Sequence, residues 1–398
     1  MNIIFLNWTC FDRDETPEAF RALGHRVTLF FHEDYNADAS DALSAELLKC
    51  ARSSHADAVF SYNYFPAIAL ACRDMELPYI SFLYDSPYAY IYSYTLAFPT
   101  NHVFLFDSSL ASYFQAGGLT NVHYMVLPGI PKKIDKLLKK PYDKKRVSAD
   151  ISFVGALYNE EHNFYDRIDF KKAPYLEGYL RGVMDAQKKI AGYNFVEELL
   201  TTEILKKLQE TFPVEREARS IETEGFRYAD YFINRKITSE ERIEYLTALG
   251  ERFGGDYKVK LFTLDKSFSL SGIENMGVAE YEKEMPLVFH DSRININISL
   301  RSIKTGIPLR CMDIMAYGGF LLSNFQADFM HDFVPGEDFD YYENRDDMLT
   351  KVEYYLTHEK ERAEIAANGQ KKVRDFFSIE AVMKRVLDTA FPVDEDMV

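Results

Sequence analysis

Short apolar runs alternate with amphipathic stretches along the first third of the chain. Runs of four to six residues rich in Ile, Val, Phe and Tyr lie at 2–7, 26–31, 58–62, 79–84, 103–106 and 123–127. Between them, apolar positions recur at helical spacing near 16–23, 40–53, 66–74 and 108–116. Strands this short and apolar, alternating with helices, predict a parallel sheet covered on both faces. Ligands in that architecture bind beyond the carboxyl ends of the strands. The segments following those ends, 8–14, 63–65, 85–94, 107–109 and 128–131, are therefore the first places to look for chemistry.

At 132–146 the pattern breaks into KKIDKLLKKPYDKKR, which reads as a solvated connection between domains. ADISFVG at 149–155 then restarts the strand pattern, with Gly155 closing a buried strand. Residues 160–250 are mostly helical and charged, with amphipathic runs near 176–190, 194–211 and 239–252, and read as an inserted helical subdomain. Further strands are expected at 257–263 and 294–298, and helices at 346–357, 359–376 and 378–390. The fold class expected is α/β, with domains over 1–131 and 149–377, a linker at 132–148 and a last helix within 378–398.

Composition narrows the class. A chain of 398 residues is too long for one ordinary core, in keeping with two domains. Its net charge of −16 argues against non-specific binding to nucleic acid or anionic membranes, without excluding a local basic pocket. Cys10, Cys50, Cys72 and Cys311 are scattered without metal or redox spacing, as free thiols of a reducing compartment would be. His102, His290 and His331 likewise lack ligand-like spacing, and no metal is expected. No apolar run approaches the ~18 residues of a membrane helix. MNIIFLNW has no basic lead or cleavage site and reads as a first strand, so a cytoplasmic location is expected.

The stretch 304–324, KTGIPLRCMDIMAYGGFLLSN, reads as a loop, a helix and a buried strand. Gly306 frees the loop, and Pro308 suits a first helical position. Leu309, Met312, Met315 and Ala316 form one apolar face, and Gly318-Gly319 ends the helix. Arg310 and Asp313 do not fit that packing role. A cation in the first turn is mildly unfavourable there, yet suits an anion such as a diphosphate docked on the helix N-terminus. Asp313, one turn deeper, could accept hydrogen bonds from ribose hydroxyls. The competing reading is an exposed Arg310–Asp313 ion pair on an ordinary helix.

The motifs NINIS at 294, R-x-x-D at 310 ending in Gly-Gly-Phe, F-x-P-G-E-D at 333 and YYL-x-H-x-x-x-R-x-x-I-A-x-N-G at 354 fall in order over roughly 288–376. This run resembles the C-terminal domain of group-1 glycosyltransferases, in particular the branch that includes spore-maturation proteins of the CgeB type. The ISFVG and YDSP turns resemble that branch more weakly. The resemblance implies a GT-B architecture: two Rossmann-like domains facing a cleft, the nucleotide-sugar donor on the second, and a final helix crossing back to the first. By position, Asp313 matches the acidic residue that grips the donor ribose. A glutamate usually stands eight residues earlier in such enzymes; here it is Thr305, so the pair is incomplete. Arg310, the 306–309 backbone including Ile307 and Leu309, and Lys304 take the charge-stabilising role at the diphosphate.

Asp85, in FLYDSP, is the leading base or acceptor-positioning residue; an Asp turn before Ser-Pro is the competing reading. Tyr88, Tyr90, Tyr92 and Tyr94 alternate just after it, as an acceptor-sugar platform or as packing on a strand face. Asp12-Arg13-Asp14 has the D-x-D form of a metal–diphosphate motif but reads as a loop, and Asp394-Glu395-Asp396 as an acidic tail. Asn159, Glu160 and Arg167 follow Gly155, where GT-B enzymes often bind diphosphate, and Arg167 is favoured among them. The expected function is transfer of a sugar from a nucleotide-diphosphate donor, a UDP-sugar first, to a glycan or protein acceptor, retaining and without metal or other cofactor. A nucleotide-sugar-binding scaffold without catalysis and a sugar-nucleotide epimerase are the alternatives; neither the acceptor nor the oligomeric state can be read from the sequence.

Overall fold

The structure, a computed structural model, describes residues 1–159, 163–214 and 221–392. The chain folds into two compact units. One holds Met1–Pro128, Ile221, Glu222 and the described residues from Phe376 onward, to Pro392; the other holds the described residues of Gly129–Glu215 and Thr223–Asp375.

The first unit is a six-stranded sheet of β1 (Asn2–Leu6), β2 (Arg26–Phe30), β3 (Ala58–Tyr62), β4 (Tyr79–Phe82), β5 (Asn101–Leu105) and β6 (Val122–Tyr124). The order is β2-β1-β3-β4-β5-β6, parallel throughout. Every residue of β3 and β4 is buried, whereas β2, at an edge, is mostly not. Helix entries carry their own caps: Ser40 Oγ accepts from Leu43 N at 3.1 Å, and Asp107 Oδ1 from Leu110 N at 3.2 Å. The helix Ile379–Ala390 lies against Glu15–Ala22 in this unit.

The second unit is also six-stranded and parallel, in the order β12-β11-β10-β7-β8-β9. Its strands are β7 (Ala149–Val154), β8 (Val259–Phe262), β9 (Glu274–Asn275), β10 (Ser292–Asn297), β11 (Leu321–Asn324) and β12 (Asp340–Tyr342). The described residues between β7 and β8 form the helical insertion, with a core of its own around Leu176, Leu180, Met184, Leu208 and Phe232. Its last helix, Asn234–Phe253, joins two cores. Ile237 belongs to the insertion, while Tyr245, Leu246, Leu249 and Phe253 pack with Ile151, Phe153 and Ile296 of the sheet.

Several expectations change. The lysine-rich run is mostly exposed but belongs to the second unit, as two short helices, Pro131–Leu137 and Lys144–Val147. Lys133 and Ile134 turn inward while Lys132 and Lys136 stay exposed. Arg146 Nε donates to Glu284 at 2.6 Å, and Lys260 Nζ to the carbonyls of Lys145 and Arg146 at 2.6 and 3.0 Å, which ties the run to the second unit. Tyr88–Tyr94 is not a strand: after a cis Ser86–Pro87 bond the chain forms 3-10 turns at Ala89–Tyr92 and Tyr94–Ala97. Pro308 caps the helix Leu309–Ala316 from outside instead of starting it. Gly318 ends that helix at φ +79, and a Cβ on Gly319 would come within 2.5 Å of Phe289 O, so both glycines are needed.

Candidate functional site

The carboxyl ends of β7 and β10 gather guanidinium groups. Arg310, in the first turn of Leu309–Ala316, donates from Nη1 to Val154 O at the end of β7. Arg242 stands where Asn234–Phe253 passes from one core to the other, which carries it to the same strand ends. It is 7% exposed and donates from Nη1 to Ala156 O at 2.5 Å and from Nε to Ile298 O at 3.1 Å. The Arg242 guanidinium lies 4.7 Å from the Tyr158 ring centroid, and that of Arg235 lies 5.3 Å from it. Tyr158 has φ +55, an uncommon conformation for a bulky residue and the kind of strain found at functional sites.

Neighbouring Arg301 is gripped by Glu241, whereas among the described residues no carboxylate lies within 4.0 Å of Arg235, Arg242 or Arg310. The buried Nε atoms of Arg235 and Arg310 have no hydrogen-bond partner among the described residues. Burial lowers the Arg242 pKa, and the like charge of Arg310 lowers it further, against the Tyr158 phenol. The helix starting at Leu309 has no side-chain cap and no acidic residue in its first turn. One buried and two half-buried cations held together, with no carboxylate within 4.0 Å among the described residues and beside uncapped helix N–H groups, suit an anion.

Asp313 is 3% exposed, and burial pushes its carboxyl up to about 7 against the opposing charges of Arg310 and Lys133. The exposed ion-pair reading is therefore wrong: the carboxyl is enclosed, and Arg310 lies beyond 4.0 Å. Lys133 is 6% exposed, with Nζ 2.8 Å from Glu282 Oε2.

The other predicted donor-side residues are spread more widely. Gly306 and Ile307 are buried in the loop before Leu309, and Thr305 O accepts from Asp328 N at 3.0 Å. Lys304 is half-exposed, 4.0 Å from Glu197. Gly155 follows β7, but a Cβ there would meet only ordinary contacts at 3.4 Å or more, so it is not required for space. Arg167 is exposed in a 3-10 turn of the insertion, 5.0 Å from the Phe164 ring. Asn159 is exposed; Glu160 and the 394–396 tail lie outside the described residues. Arg242 and Arg235 were not singled out from the sequence. In N-R-K-I-T-S-E-E-R-I-E they read as ordinary partners of nearby glutamates.

In the first unit, Asp85 is exposed at the end of β4, and Asn63 Nδ2 donates to its Oδ2 at 2.7 Å. Partial desolvation raises its pKa against that hydrogen bond. Tyr88 and Tyr90 spend their hydroxyl protons on the fold, donating to Tyr64 O and Asn36 O at 2.9 Å each, which leaves their rings and oxygen lone pairs for a ligand. Asp12 is buried, and no group of three potential metal ligands occurs among the described residues. Nor is any described helix long and apolar enough to cross a membrane.

Residues 240–388 match the family model described as glycosyl transferase-like. Over 98% of this chain and 97% of its own, a glycosyltransferase from Rickettsia africae ESF-5 superposes with TM-score 0.53 at 10% identity. WaaG, a glycosyltransferase involved in lipopolysaccharide biosynthesis, gives 0.53 at 11% identity, covering 99% and 100%. Anabaena HepE in complex with UDP-glucose gives 0.50 at 12% identity, covering 99% and 100%. No curated protein matches the sequence. The chain has the GT-B fold of glycosyltransferases, and its residues 240–388 match a glycosyl transferase-like family.

Proposed function

We propose that this chain is a glycosyltransferase of the CgeB-like branch, transferring a sugar from a nucleotide-diphosphate donor, a UDP-sugar, to a hydroxyl acceptor in the cytoplasm. The observation that carries the reading is the pair Arg242 and Arg310 at the ends of β7 and β10, with no carboxylate within 4.0 Å among the described residues. HepE, whose structure was solved with UDP-glucose, supports the donor class.

In this reading the diphosphate docks on Arg310, Arg242 and the N–H groups at Leu309, and Asp313 accepts the ribose hydroxyls. The bond between the sugar's anomeric carbon and the diphosphate oxygen breaks, and one to the acceptor oxygen forms on the same face. The acceptor's proton passes to the departing diphosphate. Charge grows on that leaving group as the bond stretches, so guanidinium groups bind the transition state more tightly than the substrate. No metal is needed for that neutralisation. The test is donor turnover, as UDP release from UDP-glucose, with and without EDTA. Arg310→Ala should lower the turnover number by roughly 10²–10³, more than it raises the Michaelis constant, and EDTA should change little. Activity abolished by chelation and restored by manganese contradicts the metal-free mechanism; full turnover in Arg310→Ala contradicts the site.

A further inference from the structure

The first unit carries a feature that the donor site does not use. Trp8 follows β1, Phe31 and Tyr35 follow β2, Phe65 follows β3 and Tyr84 follows β4, so all four of these strand ends contribute a ring. Trp8 stacks on Tyr35 at 5.8 Å and meets Phe65 edge-on at 5.4 Å. Tyr84 lies 6.4 Å from Trp8 and 5.4 Å from Phe11, and Phe31 lies 6.0 Å from Tyr35. The chain of rings is only partly covered: Phe11 is 42% and Phe31 57% exposed. Trp8 is fixed from behind by its indole N–H, which donates to Tyr62 O at 3.1 Å. Polar groups border the rings. Asp85 is exposed beside Tyr84 and held by Asn63, and both Asn63 and Asp12 have φ +54. Strained residues at strand ends are a mark of binding sites.

We infer that this aromatic cluster is a carbohydrate-binding site that takes the apolar face of a neutral sugar ring, with Asp85 accepting from its hydroxyls. Its use as the acceptor site rests on the glycosyltransferase reading; the sugar contact itself does not. Half-exposed rings interleaved with hydrogen-bonding groups match a pyranose, which has one C–H face and a rim of hydroxyls. A lipid surface fits less well, because Asp14, Glu33, Asp38 and Asp85 are exposed nearby and would repel anionic headgroups.

Trp8 is the sole tryptophan, so its fluorescence reports this site alone. The full chain is titrated with maltohexaose, cellohexaose and chitohexaose, and separately with vesicles of phosphatidylcholine and phosphatidylserine. At least one oligosaccharide should shift Trp8 emission saturably, and Phe11→Ala and Asp85→Asn should each weaken it roughly three- to tenfold. Phe11 is exposed, so its loss spares the fold. No saturable change with any oligosaccharide, a change unaltered in both variants, or a response to vesicles alone overturns the inference. Thermal stabilisation by UDP-glucose is a separate readout of the donor site, so failure of one reading is distinguishable from failure of the other.

Discussion

The carboxyl ends of β1–β4 carry aromatic rings bordered by carboxylates, whereas those of β7 and β10 carry guanidinium groups, two of which, Arg242 and Arg310, have no carboxylate within 4.0 Å among the described residues. Both sheets have six parallel strands and an order that reverses partway, which places ligands beyond the strand ends. What differs is which side chains the following segments deliver. In the first unit the segments are short loops rich in Phe, Tyr and Trp. In the second, long elements reach in: Arg242 from a helix of the insertion, Arg310 from the helix before β11. A parallel sheet fixes where a ligand can sit, and the connections decide its charge.

The contrast within the second unit is just as informative. Arg301 and Arg242 are both drawn to the segment after β10, one paired with Glu241, the other donating to the carbonyls of Ala156 and Ile298 with no carboxylate within 4.0 Å among the described residues. Glu241→Ala leaves Arg301 buried without its partner and should cost about 3–5 kcal/mol in urea unfolding. Arg242→Met strands no opposite charge and should cost less, about 1–3 kcal/mol for carbonyls left unsatisfied. Equal losses would make Arg242 a structural tie and dissolve the distinction between the two arginines.

Asp313 gives the next effect, with opposite signs for folding and binding. Its folded pKa, about 7, lies above the ordinary 3.8. The stability it contributes is therefore fully present below about pH 4 and is lost as pH rises through about 7. At about 1.36 kcal/mol per pH unit of separation, wild type should lose up to about 4 kcal/mol across that window relative to Asp313→Asn. If the ionised form grips the ribose, donor affinity should rise over the upper part of the same window and be flat in Asp313→Asn. Matched pH profiles of melting and of UDP-glucose binding, in both chains, check the pair of signs. A wild-type melting profile parallel to that of Asp313→Asn would place the carboxyl in an ordinary environment.

The smallest effect is expected at Lys304. Half-exposed and 4.0 Å from Glu197, it belongs to a weak surface pair, and Lys304→Ala should change stability by under about 1 kcal/mol. A loss of UDP-glucose turnover comparable to that of Arg310→Ala would move it into the anion site.

The alternation of apolar runs made both sheets legible, because strands buried on both faces are mostly apolar. β9 and β12, of two and three residues, are too short to stand out. The tyrosines at 88–94 misled because their period of two falls on successive 3-10 turns, which repeat every three residues. In the lysine-rich run, nothing local separates buried Lys133 from exposed Lys132; only the docking of the helix Pro131–Leu137 does. Arg310 stood out because a cation is unexpected in a first helical turn. Arg242 did not, since its role comes from a long helix spanning two cores, a tertiary fact with no signature in spacing.

Whether the arginines at β7 and β10 receive a diphosphate is tested most directly by calorimetric titration of UDP and of uridine into wild type and Arg310→Ala. It needs neither acceptor nor turnover. UDP should bind far more tightly than uridine to wild type. Loss of charge-assisted bonds worth about 1.5–3 kcal/mol should shrink that ratio roughly ten- to hundredfold in the variant. UDP and uridine binding alike, or a ratio unchanged by Arg310→Ala, would contradict it.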